Sequence, residues 1–148
     1  MQTNMIREAL IQHEGILRLI PQRPPIVMVD KFFGIEEPDS YTGLAVTSDN
    51  LFCKDDELQE SGIIEHIAQS AAVRIGYLYA QKEEPIPLGY IGSVDKLQIH
   101  RLPKTGEELF TKITVVQEVF DIPLVAAQVT SENQVIAECR MKIFLSKE

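Results

Sequence analysis

The segment Ser61–Ala72 has the sequence SGIIEHIAQSAA. On an α-helix, with about 100° between successive residues, small side chains share one face with Glu65 and Gln69. That face also holds Ser61, Gly62, Ala68, Ala72 and Gly76, and the other face holds Ile63, Ile64, Ile67, Ala71, Ile75 and Leu78. Because neither face carries the charges of a solvated helix surface, the pattern predicts a central, buried helix.

Glu65 is the one carboxylate within this apolar pattern. Glutamate is rarely buried without either a partner or a chemical purpose. A carboxylate in such surroundings suits proton transfer, so Glu65 is the candidate catalytic residue. The alternative is a glutamate at the rim of the helix or one bound by a neighbouring group, and the segment alone leaves both open.

Composition limits the classes of function. The chain has 148 residues, which predicts a single domain over residues 1–148. Its net charge of −8 argues against binding to nucleic acid or to a membrane surface. No apolar run is long enough to span a membrane, and residues 1–4 lack the basic region of a signal peptide, so we expect a cytoplasmic protein without membrane insertion.

The two cysteines, Cys53 and Cys139, lie far apart in the chain and have neither the spacing of a metal site nor that of a disulfide framework. We therefore expect no metal and no cofactor. A reducing compartment is the simplest location for such a chain.

Hydrophobic periodicity predicts the remaining elements. A short helix is expected within residues 5–20, interrupted near Gly15, and the long helix is expected from about residues 58–62 to about residue 80. The predicted strands are 26–33, 41–47, 88–102, 107–119, 124–130 and 135–145. One long apolar helix among about six antiparallel strands predicts an α+β hotdog fold, in which the sheet wraps around the helix.

Three segments resemble a known family. They are Leu19–Asp30 (LIPQRPPIVMVD), Gly62–Ala71 (GIIEHIAQSA), and Gly92–Lys96 (GSVDK) followed by Pro103–Leu109 (PKTGEEL). In this order and over most of the chain, they resemble the 3-hydroxyacyl-ACP dehydratases, the FabZ-like branch of the hotdog superfamily. The Pro24-Pro25 pair also resembles the ApeP-like relatives.

The resemblance implies roles for individual residues. Glu65 corresponds to the carboxylate that handles the departing β-hydroxyl, and Gln69 to the amide one helical turn later. Gly62 corresponds to the helix start, where a backbone N–H polarises the thioester carbonyl. Phe52 and Cys53 lie in the loop ahead of the helix and, with Gly62 and Gln69, are expected to bind substrate. The implied substrate is an acyl thioester of acyl carrier protein or CoA, in fatty-acid or polyene-type acyl-chain biosynthesis.

One family feature is missing. The family's catalytic His, which removes the α-proton, stands in a His-Phe-Pro-Gly sequence that corresponds here to Leu51-Phe52-Cys53-Lys54. A second family His, in the Pro-rich segment, is replaced by Gln22. In the family, His and carboxylate come from different subunits of a dimer. We therefore expect a homodimer, or a heterodimer in which a His-bearing hotdog paralogue completes the site.

Two other functions remain open at this point. In a hotdog acyl thioesterase, Glu65 would activate water or attack the thioester. In a non-catalytic acyl-binding subunit, the fold persists without the chemistry.

Other reactive residues have simpler interpretations. His66 points about 100° away from Glu65 around the helix, which favours a structural role. His13 is expected at the surface, and His100 either at the strand surface or lining a cleft. Cys53 is expected to behave as a small hydrophobic residue, with a thiolate base or nucleophile as the alternative. The basic residues Lys96, Arg101 and Lys104 would suit an acidic carrier protein or a phosphopantetheine phosphate, or form a solvated face.

Overall fold

A computed structural model describes residues 8–120 and 122–146 of the chain. It contains strand β1 (Ile11–Gln12), a 3₁₀ helix (His13–Arg18), strands β2 (Lys31–Glu36), β3 (Asp39–Ala45), β4 (Cys53–Lys54) and β5 (Glu57–Leu58), helix α1 (Glu60–Gln81), and strands β6 (Leu88–Ile99), β7 (Glu108–Val119), β8 (Ile122–Ser131) and β9 (Gln134–Ser146). Among these residues, no helix has both the length and the apolar character needed to cross a membrane.

The main sheet has the strand order β1-β2-β3-β7-β8-β9-β6, and all neighbours are antiparallel. Register shifts in β6 and β7 mark bulges, which bend strands and increase sheet twist. The 22-residue helix α1, about 33 Å long, packs against this sheet. The predicted hotdog architecture is confirmed.

Helix α1 is covered on two sides. Ile63, Ile67 and Ala71 pack in the main core with residues of the sheet such as Ile113 and Met141. Val73 instead packs with a second cluster, formed by the N-terminal part of the chain: Ile16, Leu19, Ile20, Val29 and Phe32. This double coverage explains why the helix sequence lacks a charged face.

Gly76 marks the closest approach of the N-terminal part of the chain to α1. A Cβ atom at this position would lie 2.1 Å from the carbonyl oxygen of Leu19, which is closer than any real contact. A larger residue would push residues 19–22 away from the helix. Gly76 therefore helps to position the Pro-rich segment (Leu19–Asp30).

Two predictions about the N-terminal part need correction. The helix expected within residues 5–20 is instead strand β1 followed by the 3₁₀ helix; Met5 and Ile6, which suggested its start, lie outside the described residues. The strand expected at 26–33 begins only at Lys31. Residues 26–28 bond to side chains of α1 rather than to a neighbouring strand, which explains a β-like sequence outside the sheet.

His66 is fully buried and connects α1 to both neighbouring layers. Its Nδ1 lies 2.7 Å from the carbonyl oxygen of Met28, and its Nε2 lies 2.7 Å from Thr111 Oγ1. Because a carbonyl only accepts, Nδ1 carries the proton and the Thr111 hydroxyl donates to Nε2. Burial lowers the pKa of His66 from 6.5 to about 4, so the ring is neutral in the folded protein at neutral pH.

The depressed pKa of His66 predicts a specific pH dependence of stability. Between pH 6.5 and 4 the unfolded chain binds a proton that the folded chain does not, so the free energy of unfolding falls by about 3 kcal/mol as the pH decreases through this window. Urea unfolding of wild type and His66→Gln at pH 7, 6, 5 and 4 measures the effect. The difference between the two proteins is expected to shrink as pH falls, and parallel curves would contradict this account.

Candidate active site

A cavity of about 230 Å³ lies against one side of α1. Glu65, Ala68, Ala72 and Ile75 form the helix wall, at the spacing of a single helix face. The other walls are Leu19, Pro21, Gln22, Ile86, Pro87, Gly89, Tyr90, Ile91, Ile143 and Leu145. The lining is mostly apolar with few polar groups, which is typical of a small-molecule site.

Glu65 is held by the amide of Gln69, one helical turn further along. Gln69 Nε2 donates to Glu65 Oε2 at 2.8 Å and also to the carbonyl oxygen of Ile26 at 3.0 Å. Gln69 Oε1 accepts from the backbone N–H of Met28 at 2.6 Å. Glu65 Oε1 has no hydrogen-bond partner among the described residues. One carboxylate oxygen is thus fixed by the protein, while the other remains available to a ligand.

The orientation of the Gln69 amide is determined by its partners. Since the Met28 N–H can only donate, the amide oxygen must face it, and the amide nitrogen then faces Ile26 and Glu65. The Pro-rich segment therefore fixes Gln69, and Gln69 fixes Glu65.

The other predicted site residues lie near the start of α1 and do not line this cavity. Gly62 is buried against Phe52 and Leu58, and its N–H donates to the carbonyl oxygen of Gln59 at 2.9 Å. Phe52 packs against the core, and Cys53 begins β4. Of the site residues proposed from the sequence, only Glu65 lines the cavity. Gln69 does not line it but donates a hydrogen bond to the Glu65 carboxylate.

Cys53 has an environment that disfavours its reactive form. Burial, with Asp56 and Asp49 nearby, raises the pKa of the Cys53 thiol, so the thiolate is less populated than in a free cysteine. Within residues 8–120 and 122–146, no group of three or more His, Cys, Asp or Glu side chains is placed to hold a metal ion.

The basic group predicted from the sequence is partly neutralised. Arg101 Nη1 lies 3.0 Å from Glu107 Oε2, and Arg101 Nη2 lies 3.7 Å from Glu132 Oε1. Burial acts to raise the pKa of Glu107, but the hydrogen bonds from Arg101, Ser131 and the Lys104 N–H outweigh burial and lower this pKa to about 2. Arg101 therefore links the loop before β7, through Glu107, to the β8–β9 hairpin, through Glu132.

Sequence reasoning missed most of the cavity wall. Residues 86–91 come from the loop after α1 and from β6, and Ile143 and Leu145 come from β9. No local pattern could place these residues opposite Glu65. Gln22 had one sequence signal, its substitution for a family His, but that signal did not indicate that it shares a cavity with Glu65.

The chain matches the ApeP-like family, the ApeP dehydratases, over residues 14–148. It belongs to the ApeP-like dehydratase family. It is also 25% identical over 144 residues to the 3-hydroxyacyl-[acyl-carrier-protein] dehydratase FabZ of Desulfotalea psychrophila, covering 94% of this chain and 96% of that protein. The FabZ of Clostridium botulinum is 26% identical over 146 residues, or 95% and 99% of the two proteins.

Solved structures support the fold of this ApeP-like chain. The dehydratase heterocomplex ApeI:P from Xenorhabdus doucetiae contains a chain that superposes with a TM-score of 0.83 at 16% identity, covering 90% of this chain and 91% of that chain. A hypothetical thioesterase with coenzyme A from Streptococcus pneumoniae superposes with a TM-score of 0.63 at 8% identity, covering 80% and 86%. At such identities these likenesses establish the fold alone.

The contacts of Gln69 predict that its amide matters more to stability than the Glu65 charge does. Gln69→Met keeps the approximate size but leaves the Met28 N–H and the Ile26 carbonyl without their partner, so we expect the free energy of unfolding to fall by about 2–4 kcal/mol. Glu65→Gln retains an acceptor oxygen for Gln69 and is expected to change it by less than about 1 kcal/mol. Denaturant unfolding of both variants measures these effects. An equal decrease in the free energy of unfolding for the two variants would contradict the prediction.

Proposed function

We propose that this ApeP-like chain is one subunit of a 3-hydroxyacyl thioester dehydratase, in which Glu65 protonates the departing β-hydroxyl. The observation that carries the proposal is the carboxylate of Glu65 on the wall of an apolar cavity, with one oxygen held by Gln69 and the other unbonded within the described residues. In this proposal the acyl chain lies in the cavity against its apolar walls, and the reacting carbons lie beside Glu65.

The reaction needs an acid and a base. A base removes a proton from the carbon next to the thioester carbonyl, and those electrons form the new carbon–carbon double bond. The bond from the β-carbon to oxygen breaks, and the hydroxyl takes a proton from Glu65 to leave as water. The products are an enoyl thioester and one water, and Glu65 supplies the acid half of this pair.

No histidine that could act as the base lines the cavity formed by the described residues. All three histidines lie among the described residues, and none lines the cavity. His66 is buried with both ring nitrogens bonded, His13 is exposed, and His100 bonds to Glu138 at the surface. Leu51, which stands where the family has its catalytic His, is 58% exposed and has no group that takes up a proton. The proposal therefore places the base on a second chain.

Strand β6 is the proposed contact with that second chain. Among the described residues it is an edge strand of 12 residues, bonded on one side only, to β9. Its exposed apolar side chains include Leu88, Tyr90, Ile91 and Leu97. Long apolar edge strands are normally covered by further strands. Because Gly89, Tyr90 and Ile91 also line the cavity, a chain paired with β6 would complete the cavity wall.

The proposed substrate is an acyl thioester of acyl carrier protein or CoA. The FabZ relatives are named for acyl-carrier-protein substrates, which favours the carrier-protein form. The partner is either a second copy of this chain or a His-bearing hotdog paralogue. Because none of the three histidines lines the cavity, the paralogue is favoured.

The β6 contact predicts the effect of surface charges on association. The double substitution Tyr90→Glu with Leu97→Glu places two charges on the edge and is expected to convert a dimer into monomers, as measured by light scattering after size exclusion. Phe120→Glu is the matched control, because Phe120 is 91% exposed and lies just beyond β7, outside β6. A dimer that survives the double substitution would rule out β6 as the contact.

The proposed mechanism predicts that dehydration requires two chains, one supplying Glu65 as the acid and the other supplying the base. We expect no enoyl product from this chain alone with 3-hydroxyacyl-ACP, and dehydration once a His-bearing hotdog chain from the same genome is added. Glu65→Gln is expected to lower the rate about a hundredfold or more, while Glu60→Gln, at the exposed start of α1, leaves it unchanged.

Other products would indicate the other candidate functions. Free thiol from an acyl thioester would indicate a thioesterase instead. Binding without turnover, with every hotdog partner tested, would indicate an acyl-binding subunit.

A further inference from the structure

One residue of the cavity wall beside Glu65 has a buried oxygen without a partner. Gln22 lines the cavity together with Glu65, and its Oε1 atom is buried with no hydrogen-bond partner among the described residues. Most buried polar side-chain atoms in proteins are hydrogen-bonded. An amide oxygen only accepts, so the missing partner is a donor.

The backbone around Gln22 is fixed in place. The Arg23 guanidinium donates through Nη1 to the carbonyl oxygens of Ile20, at 2.9 Å, and of Gln22, at 2.8 Å. Pro21 and Pro24 on either side restrict the chain further. These bonds and the two proline rings restrict the backbone that carries the Gln22 side chain.

The proposed reaction supplies a donor at this place. When Glu65 gives its proton to the β-hydroxyl oxygen, the hydroxyl's own hydrogen still needs an acceptor. The water that leaves has two O–H groups, and the Glu65 carboxylate accepts only one of them along the direction of proton transfer. A second acceptor beside Glu65 completes the hydrogen bonding of the leaving group.

We infer that Gln22 Oε1 accepts the hydrogen bond of the substrate's β-hydroxyl and then of the departing water, an inference that rests on the proposed dehydratase function. Gln22 thereby selects 3-hydroxyacyl chains over acyl chains that lack the hydroxyl. The enoyl product also lacks the hydroxyl, so it leaves Gln22 unpaired and binds more weakly than the substrate.

The other polar side chain of the cavity fits this role less well. Tyr90 is 56% exposed and lies on the edge strand, where its hydroxyl is accessible to solvent or to a paired chain. Gln22 Oε1, by contrast, is a buried acceptor without a partner among the described residues.

The test is the difference in affinity between two ligands. The amide analogues of 3-hydroxyoctanoyl-pantetheine and octanoyl-pantetheine resist turnover and differ by one hydroxyl, and calorimetry measures their dissociation constants with the purified chain and any partner that co-purifies. We expect the wild type to prefer the hydroxylated ligand by about tenfold, the usual effect of one hydrogen bond to a buried group.

The variants separate hydrogen bonding from folding. Gln22→Leu is expected to bind both ligands equally within about twofold, and Gln22→Glu, which keeps an acceptor oxygen, is expected to retain the preference. Gln81→Leu, at the exposed end of α1 and outside the cavity, is the matched control and is expected to behave as wild type.

Either of two results would overturn the inference. One is a wild-type protein that binds both ligands equally or neither of them, and the other is a Gln22→Leu variant that keeps the wild-type preference. Because the assay measures binding and not turnover, its failure is distinct from a failure of Glu65 as the acid, which the rate of Glu65→Gln reports.

Discussion

The hydrogen bonds of the Gln69 amide are the constraint on which the candidate site depends. They join the Pro-rich segment, at Ile26 and Met28, to the centre of α1 and to the Glu65 carboxylate one turn earlier on the same helix. The bond to Met28 pairs a buried backbone N–H, and the bonds to Ile26 and Glu65 are partly buried. A single side chain thus fixes both the path of the segment and the direction of the reactive group.

Polar contacts of the same kind fix the orientation of helix α1 about its own axis. His66 bonds to Met28 and Thr111, Ser70 accepts from Thr42 at 2.7 Å, and Arg74 forms an ion pair with Glu37 at 2.7 Å. These residues repeat every four positions along one side of the helix, where apolar packing alone would allow some rotation. Directional bonds at this spacing place Glu65 toward the cavity, whose far wall is formed by β6 and β9.

The sequence predicted the elements that have strong local patterns. Helix α1 and strands β6 to β9 were expected close to their observed bounds. In β7, β8 and β9 the apolar periodicity matches the burial that each strand receives, whereas β6 is mostly exposed. The N-terminal part was predicted less well. Ile16, Leu19 and Ile20 are apolar because they cover the back of α1, and this requirement is met by a 3₁₀ helix as readily as by an α-helix.

The candidate site was predicted only where chemistry is encoded locally. Glu65 and Gln69 lie one turn apart on a single helix, so their contact follows from helical spacing. Gln22 and Tyr90 reach the same cavity through long-range packing that no window of sequence reports. Gly62, Phe52 and Cys53, which the resemblance assigned to substrate binding, do not line this cavity and lie at the helix start against the core and the β4–β5 hairpin, so their role in binding stays a prediction.

The most direct test of the account is a crystal structure of the chain with its His-bearing partner and an amide analogue of a 3-hydroxyacyl thioester. The account predicts the analogue's 3-hydroxyl within about 3 Å of the Glu65 carboxylate, with Gln69 still bonded to Glu65 and a partner histidine facing the analogue's second carbon. An analogue bound elsewhere, or a Glu65 carboxylate surrounded by bulk water and away from any second chain, would contradict it.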